Sequence, residues 1–216
     1  FIHGCDGHTP GRLYTEQAMV ALGLPVAIDW ARVQGQLDAH NLSYLPLRHF
    51  CRPLHEIMQL RPLLGLRSPV NTLVRMFNPL RAPCSLQSIF HPAYAVLHQQ
   101  ADVLLGQPRA MVFKGDSGEV EIKPQADSRL HLLADDEYHT LNLGRKIESR
   151  VEPVAQPAVA PLRALWRGES TDHYGLHAVI DTAAAALLLL GEYTDPAAAR
   201  SAAQLLWQQR ERERLD

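Results

Sequence analysis

Apolar positions along this chain fall into helical and strand periods punctuated by glycine and proline. Phe1 to His3 reads as the end of a buried strand and Gly4 to Gly11 as a loop. Thr15 to Leu22 carries a helical period closed by Gly23, a residue that adopts the left-handed stop without steric cost. Asp29 offers a carboxylate cap to a helix over Trp30 to Ala39, whose Trp30, Val33 and Leu37 share one face. Leu42 to Leu45 reads as a short strand. Leu54, Ile57, Met58 and Leu64 form the next apolar stripe, with Arg52, His55, Gln59 and Arg61 off it, and Pro62 should kink or end that helix. Gly65 breaks the run, Ser68 offers a cap and Pro69 takes a first helical position. Val70, Leu73, Val74 and Phe77 then recur at helical spacing until Asn78-Pro79.

The second half continues the alternation. Ser85 to Phe90 reads as a strand, and His91-Pro92 opens a helix to Leu105 that Gly106 stops. Arg109 to Lys114 reads as a buried strand followed by the loop Gly115 to Gly118. Val120 to Lys123 and Tyr138 to Leu143 read as strands of a more antiparallel section. Val151 to Pro161 carries three prolines and reads as a surface connection. Helices follow at Val159 to Arg167, at Asp172 to Leu190 before Gly191, and after Asp195, with Pro196 at the first position. Strands alternating with helices predict an α/β fold, a mainly parallel sheet flanked by helices.

Composition adds bounds. With 216 residues, 46% hydrophobic and 20% charged, the chain has the make-up of a soluble globular protein. Its longest apolar run, Ala183 to Leu190, is too short to span a bilayer, so no membrane partner is expected. The start lacks a basic segment and reads as no signal peptide. Phe1 stands where methionine would open a chain, and the start falls inside a strand, so an earlier segment is expected to be missing. Cys5, Cys51 and Cys84 are widely spaced and odd in number, which reads as reduced, buried thiols of a cytoplasmic protein.

Charge changes the picture more. Between Asn41 and Ala110 there are seven basic residues, all arginine, against the two acids Glu56 and Asp102, while the rest of the chain is acidic. A locally positive surface of this kind suits an anionic partner. Other candidate chemistry is thinner. His173 and His177 share a helix face without a third metal ligand, and read as a helix-surface pair. His49, Cys51 and His55 could supply a thiol and a base, but read as a buried thiol beside exposed histidines.

The run Arg61 to Pro79, RPLLGLRSPVNTLVRMFNP, resembles the anthranilate phosphoribosyltransferases of the family-three glycosyltransferase fold. Arg61, Leu64, Gly65, Leu66, Arg67, Ser68, Asn71, Leu73, Asn78 and Pro79 match that family's motif in one ungapped register, while Val74, Arg75 and Met76 replace its Gly-Pro-Leu. His3-Gly4 match a Lys-His-Gly-Asn-Arg loop, with Ile2 in place of the lysine and Cys5-Asp6 in place of Asn-Arg. Asp181 to Ala184 stands at an Asn-Ala-Ala signature. The resemblance implies that residues 1–45 begin an α/β domain, that 46–80 belong to a small helical domain and that 81–216 complete the α/β domain. It also implies a homodimer.

The same resemblance shows what is altered. The family's glycine-rich pyrophosphate loop has no counterpart here, and of its metal-binding Asp-Glu pair Val120 replaces the Asp while Glu121 keeps the Glu. Two readings follow. In the first, the chain is a divergent member that binds single-stranded DNA or RNA, as some members of a divergent branch do. Arg48, Arg52, Arg61, Arg67, Arg75 and Arg81 would contact phosphates, and Tyr44, Phe50, Phe77 and Tyr94 would offer stacking faces; no cofactor is then expected. In the second, it is a phosphoribosyltransferase using Mg, with His3, Gly4, Arg61 and Asn71 toward substrate and Glu121 toward the metal.

Overall fold

The computed structural model describes residues 1–7, 11–65, 69–115, 119–149 and 157–215. The chain divides into two compact units, one of Phe1–Val74, Pro153–Ser170 and Glu211–Asp216, the other of Arg75–Glu152 and Thr171–Arg210.

The first unit begins with β1 (Ile2–Gly4), α1 (Thr15–Ala21), α2 (Trp30–His40) and β2 (Tyr44–Pro46). β1 and β2 pair in parallel, Ile2 opposite Tyr44 and Gly4 opposite Pro46. Asp29 accepts a hydrogen bond from the Arg32 amide at 2.8 Å, as a cap should, and Asn41 ends α2 in a left-handed turn at φ 54°. Ala27, Val33 and Leu45 are buried here, with Phe1, Leu37 and Phe50 packed around them.

Four short helices follow: α3 (Leu47–Phe50), α4 (Arg52–Gln59), α5 (Arg61–Leu64) and α6 (Val70–Leu73), the last running into a 3-10 turn at Val74–Met76. Pro62 sits in the first turn of α5 and Gly65 ends it at φ 68°, so the expected break occurs at Leu60. Ser68 lies outside the described residues. From later in the chain, α8 (Ala160–Arg167) joins this unit, and Arg163 donates to the Ala21 carbonyl at 2.7 Å.

The second unit is a four-stranded sheet of order β3 (Cys84–Ile89), β4 (Arg109–Lys114), β5 (Ser128–Ala134) and β6 (Glu137–Leu143). β3 and β4 are parallel, whereas β4–β5 and β5–β6 are antiparallel, so the sheet is mixed. Strand periodicity divides its faces. Met111 and Phe113 point to α9 (His173–Leu190) and α10 (Pro196–Gln208), where Ala184, Ala185, Ala199 and Ala203 are all buried. Ile89 and Val112 cluster with Ala95 of α7 (Tyr94–Leu104), on the other face. Asp172 and Asp195 cap α9 and α10 through the Gly175 and Ala198 amides. α9 is long and apolar enough to cross a membrane by length and composition, with mean hydropathy 1.4, and Ile180, Ala184, Leu188 and Leu189 spend that character on the core.

Two expectations are corrected. Val120 to Lys123 forms no strand: the Ile122 amide donates to the Thr182 hydroxyl at 2.9 Å, so a side chain of α9 satisfies the group a strand neighbour would have taken. The strand lies instead at Ser128–Ala134. The three thiols are free but only half-buried, not enclosed in the core.

Candidate functional site

The arginines expected to meet phosphate are distributed over both units, and several are already engaged. Arg48 stands on α3 and donates to both carboxylate oxygens of Glu16, at 2.6 and 2.5 Å. The bond holds the Glu16 carboxyl below the usual carboxylate range. Arg52 on α4 donates to Glu56 one turn on at 2.8 Å, an exposed pair of small energetic consequence. The positive charge counted along this run is therefore partly compensated in the fold, by Glu16 from far off in sequence as well as by Glu56. Arg61 opens α5 and is half-buried, whereas Arg67 lies outside the described residues.

In the second unit Arg75 donates from Nη1 to the backbone oxygen and hydroxyl of Ser88, at 3.0 and 3.1 Å. Arg81 is exposed and left-handed at φ 48°. Its turn is clasped by Asn78, which accepts from the Ala82 amide at 2.8 Å and donates to the Ala82 carbonyl and the Gln107 side chain, both at 2.7 Å. Gln107 in turn donates to the Ala82, Pro83 and Arg109 carbonyls at 3.1, 3.2 and 3.1 Å. Asn78, matched on sequence alone, thus has a local physical role: it fixes the turn that presents Arg81.

An open depression of about 490 Å³ is lined by Arg48, His49, Arg52, His55, Glu56 and Gln59. Near it the structure makes a pair that the sequence could not announce. His55 Nδ1 lies 3.4 Å from the Cys5 thiol, which belongs to a loop fifty residues earlier. Gln59 reaches the same sulfur at 3.8 Å. Burial, then the Asp6 charge, pushes the thiol up; burial, then Arg48, pushes the imidazole down. The pair therefore rests as a neutral thiol beside a neutral imidazole, which is a poor nucleophile. Burial also raises the Asp6 carboxyl, and its Oδ1 has no hydrogen-bond partner among the described residues.

Of the residues expected to face substrate, His3 and Gly4 directly precede this loop. His3 meets Phe50 edge-on with ring centroids 5.6 Å apart. Gly4 lies beneath Tyr44, whose hydroxyl would stand 2.7 Å from any added Cβ, so a larger residue requires Tyr44 to move. Asn71 is on α6, half-buried. Tyr44 is only 1% exposed and Phe50 packs within the Phe1, His3 and Trp30 rings, so neither offers the stacking face expected of it.

The described residues do not fit a magnesium site. Glu121 is half-buried, Val120 presents hydrocarbon beside it, and no three metal-ligating side chains converge among the described residues. Asp116, the one carboxylate within the run Gly115 to Gly118, lies outside them. His177, instead of facing solvent with His173, accepts from Arg200 at 2.9 Å, while Arg200 also donates to buried Asp181 at 2.7 Å.

A second polar cluster was also unforeseen. His98 and Asp102 occupy one buried face of α7, four residues apart, at positions where a helical period calls for apolar side chains. That mismatch was the available signal. Gln87 of β3 donates to Asp102 at 2.8 Å and accepts from His98 Nδ1 at 2.8 Å. Burial lowers His98 to about 4 and raises Asp102 to about 6.

The family model described as glycosyl transferase family, a/b domain, matches residues 15–209. The uncharacterized protein YbiB of Escherichia coli is 28% identical over 134 residues, which cover 61% of this chain and 41% of that one. An anthranilate phosphoribosyltransferase of Myxococcus xanthus is 30% identical over 197 residues, 85% of this chain and 56% of that enzyme. The crystal structure of anthranilate phosphoribosyltransferase from Thermus thermophilus shares the fold, with TM-score 0.72 and 23% identity over 99% of this chain and 62% of that one. The chain spans about half the length of the curated relatives it matches. It belongs to the glycosyl transferase family defined by this a/b domain, and within it is anthranilate phosphoribosyltransferase-like.

Proposed function

We propose that this chain binds nucleic acid through phosphate contacts from its arginines, rather than making a tryptophan precursor. The observation that carries the reading is the run from Asn41 to Ala110, which holds seven arginines, no lysine and only two acids of its own, Glu56 and Asp102. Arginine forks to phosphate and stacks on bases, which lysine does not do. Exposure supports some of these arginines over others. Arg52 and Arg81 are exposed, and Arg61 is half-exposed at the head of its helix, whereas Arg48 is held by Glu16. Fluorescence anisotropy with a labelled oligonucleotide tests this. Arg52→Ala, Arg61→Ala and Arg81→Ala should each weaken binding roughly threefold to tenfold on every sequence. Unchanged affinity in all three removes the proposal.

A second reading is a phosphoribosyltransferase, favoured by the relatives bearing that name. Val120 at the expected carboxylate position opposes it. Consumption of anthranilate with phosphoribosyl pyrophosphate and magnesium, followed by fluorescence, separates the two. The nucleic-acid reading expects no turnover by this chain.

A further inference from the structure

Exposed aromatic residues gather at the carboxyl ends of β3 and β4, and only Tyr94 among them was expected from sequence. The two strands run parallel from Cys84 opposite Arg109 to Ile89 opposite Lys114, so they end side by side. That edge is where α/β sheets most often place ligands. Phe90 follows directly and is 49% exposed. His91 stands nearly perpendicular to it, ring centroids 4.8 Å apart at 80°. Tyr94, 42% exposed, continues the ladder from His91 at 5.9 Å and 86°. Rings of this size left in contact with water forgo the transfer free energy that burial would return. Basic residues adjoin the same strand ends: Lys114 is exposed at the end of β4, opposite Ile89, and Arg75 donates to Ser88 two residues before Phe90.

We propose that Phe90, His91 and Tyr94 form a stacking platform for unpaired bases of single-stranded nucleic acid, with Lys114 and Arg75 supplying positive charge toward the adjoining phosphates. This rests on the nucleic-acid reading and adds where the bases lie. Stacking tolerates any base, since each has a π-face, while the bases of a duplex are already stacked and paired. The platform therefore selects single strands without selecting sequence. Of the four aromatics expected from sequence, Tyr94 alone belongs to it; Tyr44 is buried, and Phe90 and His91 are its new members.

The experiment uses the whole chain with a labelled oligothymidine, an abasic strand and a duplex of equal length, at low salt. Single strand should bind more tightly than duplex or abasic strand. Phe90→Ala and Tyr94→Ala should each weaken oligothymidine binding by roughly fivefold to a hundredfold, leave the salt slope unchanged and leave duplex affinity alone. Tyr94→Phe should bind like the parent, which guards against a folding effect. If the parent binds no nucleic acid, both readings fall. If it binds with salt-dependent affinity but tolerates both alanines, or holds abasic and thymidine strands equally, the platform falls and the arginine contacts stand.

Discussion

Arg48 closes a two-pronged ion pair on Glu16, with both bonds at 2.6 Å or less between α3 and α1. The Glu16 side chain is 15% exposed, so the pair is better shielded than the Arg52–Glu56 pair. Glu16→Gln should cost about 1–2 kcal/mol at neutral pH. The sign follows from the lowered carboxyl: its contribution is present above the ordinary carboxylate value and is lost as pH falls through the lower folded value. Urea melts should show the parent and variant converging in strong acid. The same substitution releases Arg48, so low-salt oligonucleotide affinity should rise even as stability falls.

His98 and Asp102 should titrate against one another. His98 is lowered from 6.5 to about 4, so its contribution to stability is lost as pH falls from 6.5 toward 4. Asp102 is raised from 3.8 to about 6, so its contribution is present in acid and lost as pH rises toward 6. The two slopes oppose each other between pH 4 and 6, and the parent should show little dependence there. Asp102→Asn keeps an acceptor for Gln87 and should uncover the histidine slope, stability rising with pH. His98→Gln should uncover the reverse. Thermal melts across that window check both signs.

Asn78 and Arg81 let stability and the proposed phosphate contact be tested separately within one turn. Asn78→Ala removes one bond to the Ala82 amide and two donated bonds, and should cost about 1–3 kcal/mol. Arg81→Gly should do the opposite. At φ 48° glycine avoids the left-handed penalty of about 1 kcal/mol, so stability should hold or rise while phosphate affinity drops. Calorimetry beside anisotropy distinguishes the two outcomes.

What the sequence revealed was mostly local. Asp29, Asp172 and Asp195 announce helix starts because each cap acts within three residues of itself. Gly23, Gly106 and Gly191 announce stops because only their own backbone must turn left-handed. The parallel pairing of β3 with β4 follows from the helix between them. Val120 to Lys123 misled because Ile122 is buried like a strand residue yet bonded by Thr182, a partner sixty residues away. A charge count along sequence could not see Glu16 beneath Arg48, nor Cys5 beside His55, since both pairs are made by folding. Aromatic residues named by type alone divided only once burial was known: Tyr44 inside, Tyr94 at the surface.

Affinity for single-stranded oligonucleotide across a salt series tests most directly whether these arginines meet a phosphate backbone. If about four phosphates are neutralised, the logarithm of affinity should fall against the logarithm of salt with a slope near −3. Arg52→Ala or Arg81→Ala should reduce that slope by about one contact's worth. Affinity independent of salt, or no binding at low salt, would contradict the account.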